Sequence, residues 1–288
     1  MYIKWVGGKS SIAEDLILRF PTKIDYYIEP FFGSGSMYFK YYDYLEQNLY
    51  NDLKPVFFVS DKNKYLINCH NCVKNNFPDL KIILESIEKD YNLCQDKSLF
   101  YKEKRDLVTS DDLLQQNHLV SAAIFLFINK TCFNGLWRVN KKGKYNVPTN
   151  KLPFIKFNYQ NIQLASEFLQ KANIHCGSYE FYFDELLKNK KNIFYYIDPP
   201  YIPLNTTSSF TAYTEDGFSE NDTSNLEKFC TFLNSNGVKW MVSNSSSQSV
   251  YSIFSKWKIN EIEVPRLVKA VSKGGKRFKV KETIITNY

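Results

Sequence analysis

The chain has 288 residues, with 37 Lys plus Arg against 30 Asp plus Glu, a formal charge of +7 at pH 7, 44% hydrophobic and 17% aromatic residues. That composition is globular and excludes a disordered chain, and the length supports one large domain or two modest ones. The longest apolar run, residues 119–128, falls far short of the roughly 20 residues that span a bilayer, so no membrane partner is expected.

The opening Met1-Tyr2-Ile3-Lys4-Trp5 runs straight into a glycine turn and reads as carrying no secretion signal, which makes an intracellular protein the expectation. Ser11-x-x-Glu14 has the form of a capping box; with Leu16, Ile17 and Phe20 it predicts a helix over about 11–20. Residues 24–31 are β-branched and aromatic, as in a strand. They lead into Glu29-Pro30-Phe31-Phe32-Gly33-Ser34-Gly35-Ser36, after which a helix is expected through Tyr44. Residues 56–60 form a second short strand ending at Asp61. Strand, glycine turn, helix, strand and acid make a βαβ unit.

From Lys62 to about Asn173 helical segments dominate, and residues 119–128 should be buried all round. Between the helices, residues 136–147 resemble a hairpin turning near Gly143. Strands resume at 193–198 and 238–243. Ser219-x-x-Asp222 caps a helix between them, with Leu226, Phe229, Cys230 and Leu233 at i, i+3, i+4 and i+7. Residues 259–264 and 283–286 read as closing strands. The fold class is therefore α/β: a sheet domain, 1–61 and 174–288, interrupted by a mostly helical insert, 62–173.

Charge is concentrated. Residues 129–151 hold Lys130, Arg138, Lys141, Lys142, Lys144 and Lys151 with no acid. Residues 266–281 hold Arg266, Lys269, Lys273, Lys276, Arg277, Lys279 and Lys281, again with no acid. Aromatic residues interleave with both stretches, a pattern that suits a phosphate backbone as well as a solvated loop.

Three motifs point away from common cofactors. Cys69-His70-Asn71-Cys72 lacks the second Cys or His pair of a zinc site, and i, i+3 on a helix share a face without any metal; buried thiols and no metal are expected. Gly7-Gly8-Lys9-Ser10 ends like a phosphate loop, but Ile3 stands where its first glycine belongs, and no strand precedes it. Gly33-Ser34-Gly35 lacks the third glycine of a dinucleotide fingerprint. It still lets a ligand approach the backbone at a strand end, where Asp61 could accept from a ribose diol.

Asp198-Pro199-Pro200-Tyr201 carries the sharpest signal. It follows the apolar strand Ile193-Phe194-Tyr195-Tyr196-Ile197, so the acid stands at a strand's carboxyl end. Two prolines stiffen the backbone and remove two donors. A carboxylate beside a proline carbonyl offers two acceptors to an amino group, and the tyrosine ring offers a stacking face to a flat base.

These segments resemble Dam-type DNA adenine methyltransferases, the α group of amino-methyltransferases (D12 class), mostly specific for GATC. The resemblance rests on Lys4-Trp5-Val6-Gly7-Gly8-Lys9, the Glu29–Gly35 turn, Phe133-Asn134-Gly135-Leu136-Trp137-Arg138, Asn146-Val147-Pro148, Asp198-Pro199-Pro200-Tyr201 and the Glu282–Tyr288 tail, in that order. The long separation of Gly33 from Asp198 matches the α order, in which the recognition domain lies between cofactor and catalytic motifs.

The resemblance implies a Rossmann-like methyltransferase sheet that binds S-adenosylmethionine, releases S-adenosylhomocysteine, and methylates the exocyclic amine of an adenine flipped out of duplex DNA. Trp5 and Lys9 would flank the cofactor, Glu29, Phe31, Gly33, Ser34 and Gly35 would line it, and Asp61 would hold its ribose. Where the family has Gly-Asp-Phe, this chain has Gly177-Ser178-Tyr179; serine keeps an oxygen but loses the charge, and restoring aspartate should hold or tighten binding. Asp198 and Pro199 would hold the target amine, with Pro200 shaping the turn and Tyr201 stacking on the base.

Arg138, a bidentate match for a guanine edge, would read sequence. Phe133, Asn134, Leu136 and Pro148 would assist it, and Lys4 would touch the other guanine. Lys273 and Lys276 would grip phosphates. The expectation is then a monomer on double-stranded DNA, cytoplasmic or nucleoid-associated, with a cognate restriction endonuclease left open. The competing readings are a non-catalytic DNA-binding relative and an RNA or protein methyltransferase.

Overall fold

The computed structural model describes residues 1–48, 54–181, 191–201, 218–267 and 277–288, with the backbone alone at 265–267 and 277–279. Strands β1 (Tyr26–Glu29), β2 (Val56–Asp61), β3 (Ala172–Cys176), β4 (Ile193–Ile197), β5 (Lys239–Ser245), β6 (Lys258–Leu267) and β7 (Arg277–Thr286) form one seven-stranded sheet. Its order is β3-β2-β1-β4-β5-β7-β6. The first five strands run parallel, and β7 enters antiparallel between β5 and β6.

Strand periodicity divides the core between the two faces. Tyr27, Phe194, Tyr196 and Met241 face one side, where they join α1 (Ala13–Ile17), α2 (Ser36–Gln47) and α3 (Lys64–Asn75). Ile28, Ile193, Tyr195, Ile197, Trp240 and Val242 face the other. There they meet Leu226, Phe229, Cys230 and Leu233 of α9 (Glu220–Ser235) and Val250 of α10 (Gln248–Ile253). Each such fully buried side chain contributes about 1.5–3 kcal/mol from area removed from water.

The helical insert comprises α3, α4 (Phe77–Leu93), α5 (Lys97–Leu107), α6 (Asp111–Gln116), α7 (His118–Thr131) and α8 (Tyr159–Leu169). It shares the first core cluster with the sheet. Helix α7 is its axis: residues 121–129 are all buried, and only Leu119 and Val120 of the apolar run reach the surface in part. Among the described residues, no helix is long and apolar enough to cross a membrane.

The Ser219–Asp222 capping box forms in both directions. The Ser11–Glu14 box does not. Helix α1 starts at Ala13 on an Ile12 cap that makes no side-chain bond. Ile12 is buried, and its N–H is taken by the Lys9 carbonyl in a preceding turn, which leaves Ser11 on the outside. The helix is correspondingly short and ends at Ile17. β3 has no counterpart in the sequence reading, because this edge strand, Ala-Asn-Ile-His-Cys, is only partly buried and carries no apolar alternation. The insert boundary expected after residue 173 falls inside it. β6 and β7 pair further than expected, out to Leu267 and Arg277. Lys273 and Lys276 lie outside the described residues.

Candidate active site

In a parallel sheet, ligands gather at the carboxyl ends of the strands where the order reverses, here between β1 and β4. Glu29 closes β1, Asp61 closes β2, and Asp198 follows β4 directly. All three line one cleft of about 1040 Å³, together with Trp5, Lys9, Phe31, Gly33, Ser34, Ser178, Tyr179, Pro199, Pro200 and Tyr201. Of the residues expected around the cofactor, Gly35 alone does not line it. Gly35 caps α2 with φ 74°, and a Cβ there would meet the Phe32 ring at 2.7 Å. Its glycine character is set by the left-handed backbone and by packing.

A buried ion network links the segments. The Lys9 ammonium reaches both carboxylate oxygens of Asp198, at 2.7 and 2.8 Å, and donates to the Gly7 carbonyl at 2.7 Å. Its side chain is 3% exposed and that of Asp198 18%. The lysine thus turns back on its own loop and pairs with a carboxylate from the far side of the cleft. The same ammonium lies over the Tyr201 ring, 4.8 Å from its centroid. It is 4.0 Å from Glu282, a buried acid that accepts a hydrogen bond from the Tyr201 hydroxyl at 2.9 Å.

At the end of β1, burial raises the Glu29 carboxyl to about 8, against the 2.8 Å bond from the Tyr27 hydroxyl and reinforced by the Asp198 charge. A cation placed beside Glu29 would favour its ionised form. Burial also raises Asp61, which accepts from the N–H groups of Gly33 (3.0 Å) and Asn63 (2.9 Å). Trp5 stacks with Trp137 at 6.3 Å and fills the space where a Gly33 Cβ would stand, 2.8 Å from its Cδ1. Gly33 therefore cannot carry a side chain.

His70 was not anticipated as part of this site. Its Nε2 lies 2.8 Å from the Gly33 carbonyl and its Nδ1 2.6 Å from the Tyr2 hydroxyl. A carbonyl only accepts, so Nε2 carries the proton and Nδ1 accepts from Tyr2. The imidazole thus ties the glycine turn to α3. Burial lowers it to about 4, opposed by the bond to Gly33. The unfolded chain therefore takes up this proton first as pH falls, and stability is full above about 6.5 and lost toward 4. Between pH 7 and 4.5 the wild type should lose ~2–3 kcal/mol more than His70→Gln. Urea unfolding at both pH values checks this, and equal losses would refute it. The flanking Cys69 and Cys72 are buried on one face of α3, and burial raises both thiols.

Among the described residues, those of the hairpin segment expected to touch DNA are tied together by backbone and side-chain bonds. Phe133 N–H bonds the Pro148 carbonyl at 2.8 Å, and Cys132 bridges Thr149. The hairpin forms around Asn140 and Gly143, with Val139 bridged to Tyr145. Arg138 Nε donates to Asn146 Oδ1 at 2.7 Å and a terminal nitrogen donates to the Asn146 carbonyl at 3.4 Å, so Asn146 aims the fork from the facing strand. Phe133, Asn134 and Pro148 are exposed, and Leu136 and Arg138 half-buried.

Lys4 joins this patch by two routes. Asn129 of α7 clamps both its N–H (2.9 Å) and its carbonyl (2.8 Å), and a Cβ on Gly135 would lie 2.5 Å from that of Lys4. Lys4 and Asn134 line a smaller cavity of about 390 Å³, which shares Trp5, Val6, Gly8 and Ser34 with the main cleft. Asn129 and His70 carried no signal in the sequence, because each acts through a partner distant along the chain.

A family model for D12 class N6 adenine-specific DNA methyltransferases matches residues 5–268. The chain is 35% identical to the type II methyltransferase M.MjaIII of Methanocaldococcus jannaschii, covering 100% of this chain and 98% of the relative. It is 32% identical to the type II methyltransferase M1.LlaDCHI of Lactococcus lactis subsp. cremoris, covering 100% and 95%. It is 26% identical to the DNA adenine methylase of Escherichia coli K12, covering 98% and 93%. With the acidic strand ends, the glycine turn and the Asp-Pro-Pro-Tyr segment assembled around one cleft, the chain belongs to the D12 class of N6 adenine-specific DNA methyltransferases.

Proposed function

We propose that this adenine-specific DNA methyltransferase acts on an adenine flipped out of duplex DNA, within GATC, and that residues 62–173 supply most of the sequence reading. The observation that carries the proposal is the shared wall of the two cavities. The Asp198–Tyr201 acceptor turn opens into one, Lys4 and Asn134 line the other, and Trp5 and Ser34 border both. A stacked base is out of reach of such a cleft, and flipping costs a few kcal/mol.

S-adenosylmethionine is the methyl donor of this class, and when bound it supplies an electrophilic methyl group on a positively charged sulfur. The cleft suits a cationic ligand by its acceptors, the carboxylates of Glu29 and Asp61, beside the flat faces of Phe31 and Tyr179, which stack at 5.7 Å. Asp198 and the Pro199 carbonyl accept the two amine hydrogens, which turns the nitrogen lone pair toward the methyl group. Tyr201 stacks on the base. Lys9 keeps Asp198 oriented and tempers its charge. Positioning and fixed charge do the work.

Ser178 stands on the rim expected to meet the donor's adenine, and its hydroxyl donates to the Glu180 carboxylate. The charge that serine lacks is therefore present two residues on. This reverses the expectation for Ser178→Asp: two carboxylates side by side should weaken S-adenosylmethionine binding about two- to fivefold, the worth of one exposed charge contact. Calorimetry decides, and tighter binding would mean that Glu180 does not face the ligand.

The proposal also takes the protein as a monomer and leaves a partner endonuclease open. Its test is a plasmid incubated with protein and S-adenosylmethionine, then cut with endonucleases blocked by adenine methylation at defined sites. Protection at GATC alone is expected; complete cleavage at GATC with tritium incorporated elsewhere would overturn the GATC assignment.

A further inference from the structure

We propose that Glu282 is a positioning residue for Tyr201, setting the ring that stacks on the flipped adenine; this rests on the reading of Tyr201 as that ring. Glu282 lies in β7, with its backbone paired to Ser245 of β5 and Ile262 of β6. The following residues Thr283, Ile284 and Ile285 are buried. Glu282 is itself 3% exposed. A carboxylate taken out of water costs several kcal/mol unless its partners compensate. Two of its partners set the Tyr201 ring: the hydroxyl at 2.9 Å, and the Lys9 ammonium at 4.0 Å, which lies over the ring.

The anchoring follows from rigidity. Tyr201 leaves the sheet on a turn, whereas Glu282 is held between two strands. A ring gripped at its hydroxyl by a strand residue keeps its plane while the base enters, and Lys9 on one face adds a second point of reference. Glu282 thereby couples the stacking ring to the ammonium that orients Asp198. It lines the cleft beside Tyr201 and acts on the base through that ring.

The test places 2-aminopurine at the target position of a GATC duplex, with circular dichroism confirming the fold of each variant. A flipped 2-aminopurine brightens when it leaves the helix and is quenched again by stacking on an aromatic ring. Glu282→Ala and Tyr201→Ala should each raise emission of the bound duplex above wild type, and Glu282→Gln, which keeps an acceptor, should stay near it. Glu282→Ala should lower kcat about tenfold or more, the worth of a hydrogen bond to a charged group, with KM for S-adenosylmethionine within about twofold.

In a Tyr201→Phe background the Glu282→Ala effect should shrink several-fold, because the hydroxyl is already gone. Should the alanine variant fail to fold, Glu282→Met, close in volume and without a comparable acceptor, gives the same comparison. An undiminished effect in Tyr201→Phe overturns the proposal, as does unchanged emission in Glu282→Ala when Tyr201→Ala brightens. If Tyr201→Ala itself leaves emission unchanged, the stacking reading of Tyr201 is at fault, and the proposal falls with it.

Discussion

Asp198→Ala is expected to abolish methyl transfer, with a fall of at least ~10³-fold, the scale on which preorganised transition-state contacts act. The carboxylate stands just beyond the end of β4, beside Pro199, in the cleft that Glu29 and Asp61 share. Removing it takes away an acceptor for the amine and the charge that stabilises positive character developing on the nitrogen. Lys9 complicates the alanine variant. Its ammonium is buried and relies on Asp198 at 2.7 Å, so the alanine variant strands a charge and should also lose stability, by a few kcal/mol. Asp198→Asn keeps the shape and one carbonyl acceptor while losing the charge, and so separates the worth of the charge from that of the acceptor. Single-turnover transfer of tritiated methyl, with thermal melting alongside, measures both. Turnover above a tenth of wild type in a folded Asp198→Ala protein would sink the assignment.

Arg138→Ala should change which sequences are methylated. A guanidinium fork matches the two acceptors of guanine in the major groove, and such a contact is worth roughly 1–3 kcal/mol of discrimination. Selectivity at one guanine should therefore relax by about 5- to 150-fold. The hairpin adds a second expectation. Asn146 holds the Arg138 Nε at 2.7 Å across the turn, so Asn146→Ala should relax selectivity at the same guanine by a smaller factor. Methylation rates on GATC and on duplexes with each guanine replaced give the answer. A uniform slowing on every duplex would make Arg138 a phosphate ligand, and Lys4 and Asn134, which line the cavity beside the main cleft, become the next candidates.

Much of this protein is determined by short-range sequence. Two-residue alternation in β4 puts Phe194 and Tyr196 on one face and Ile193, Tyr195 and Ile197 on the other. Reciprocal Ser219 and Asp222 bonds start α9 where the spacing places it. The motif order, glycine turn before insert before Asp198, identifies the family without coordinates. Such signals are local: a period, a cap or a turn is written within a dozen residues, and the backbone answers to it directly.

The site's wiring is not local. Lys9 and Asp198 meet across 189 residues, Lys4 and Asn129 across 125, Tyr201 and Glu282 across 81. His70 reads only as a spacer between Cys69 and Cys72 until α3 brings it to the Gly33 carbonyl. The Ser11–Glu14 pattern reads as a cap until the burial of Ile12 turns the chain the other way. No periodicity marks these residues, because what selects them is the pairing of buried polar groups that only the packed sheet brings together. A buried ammonium or carboxylate must find its partner within a few ångströms, and which partner that is depends on strand order, helix docking and the depth of the cleft.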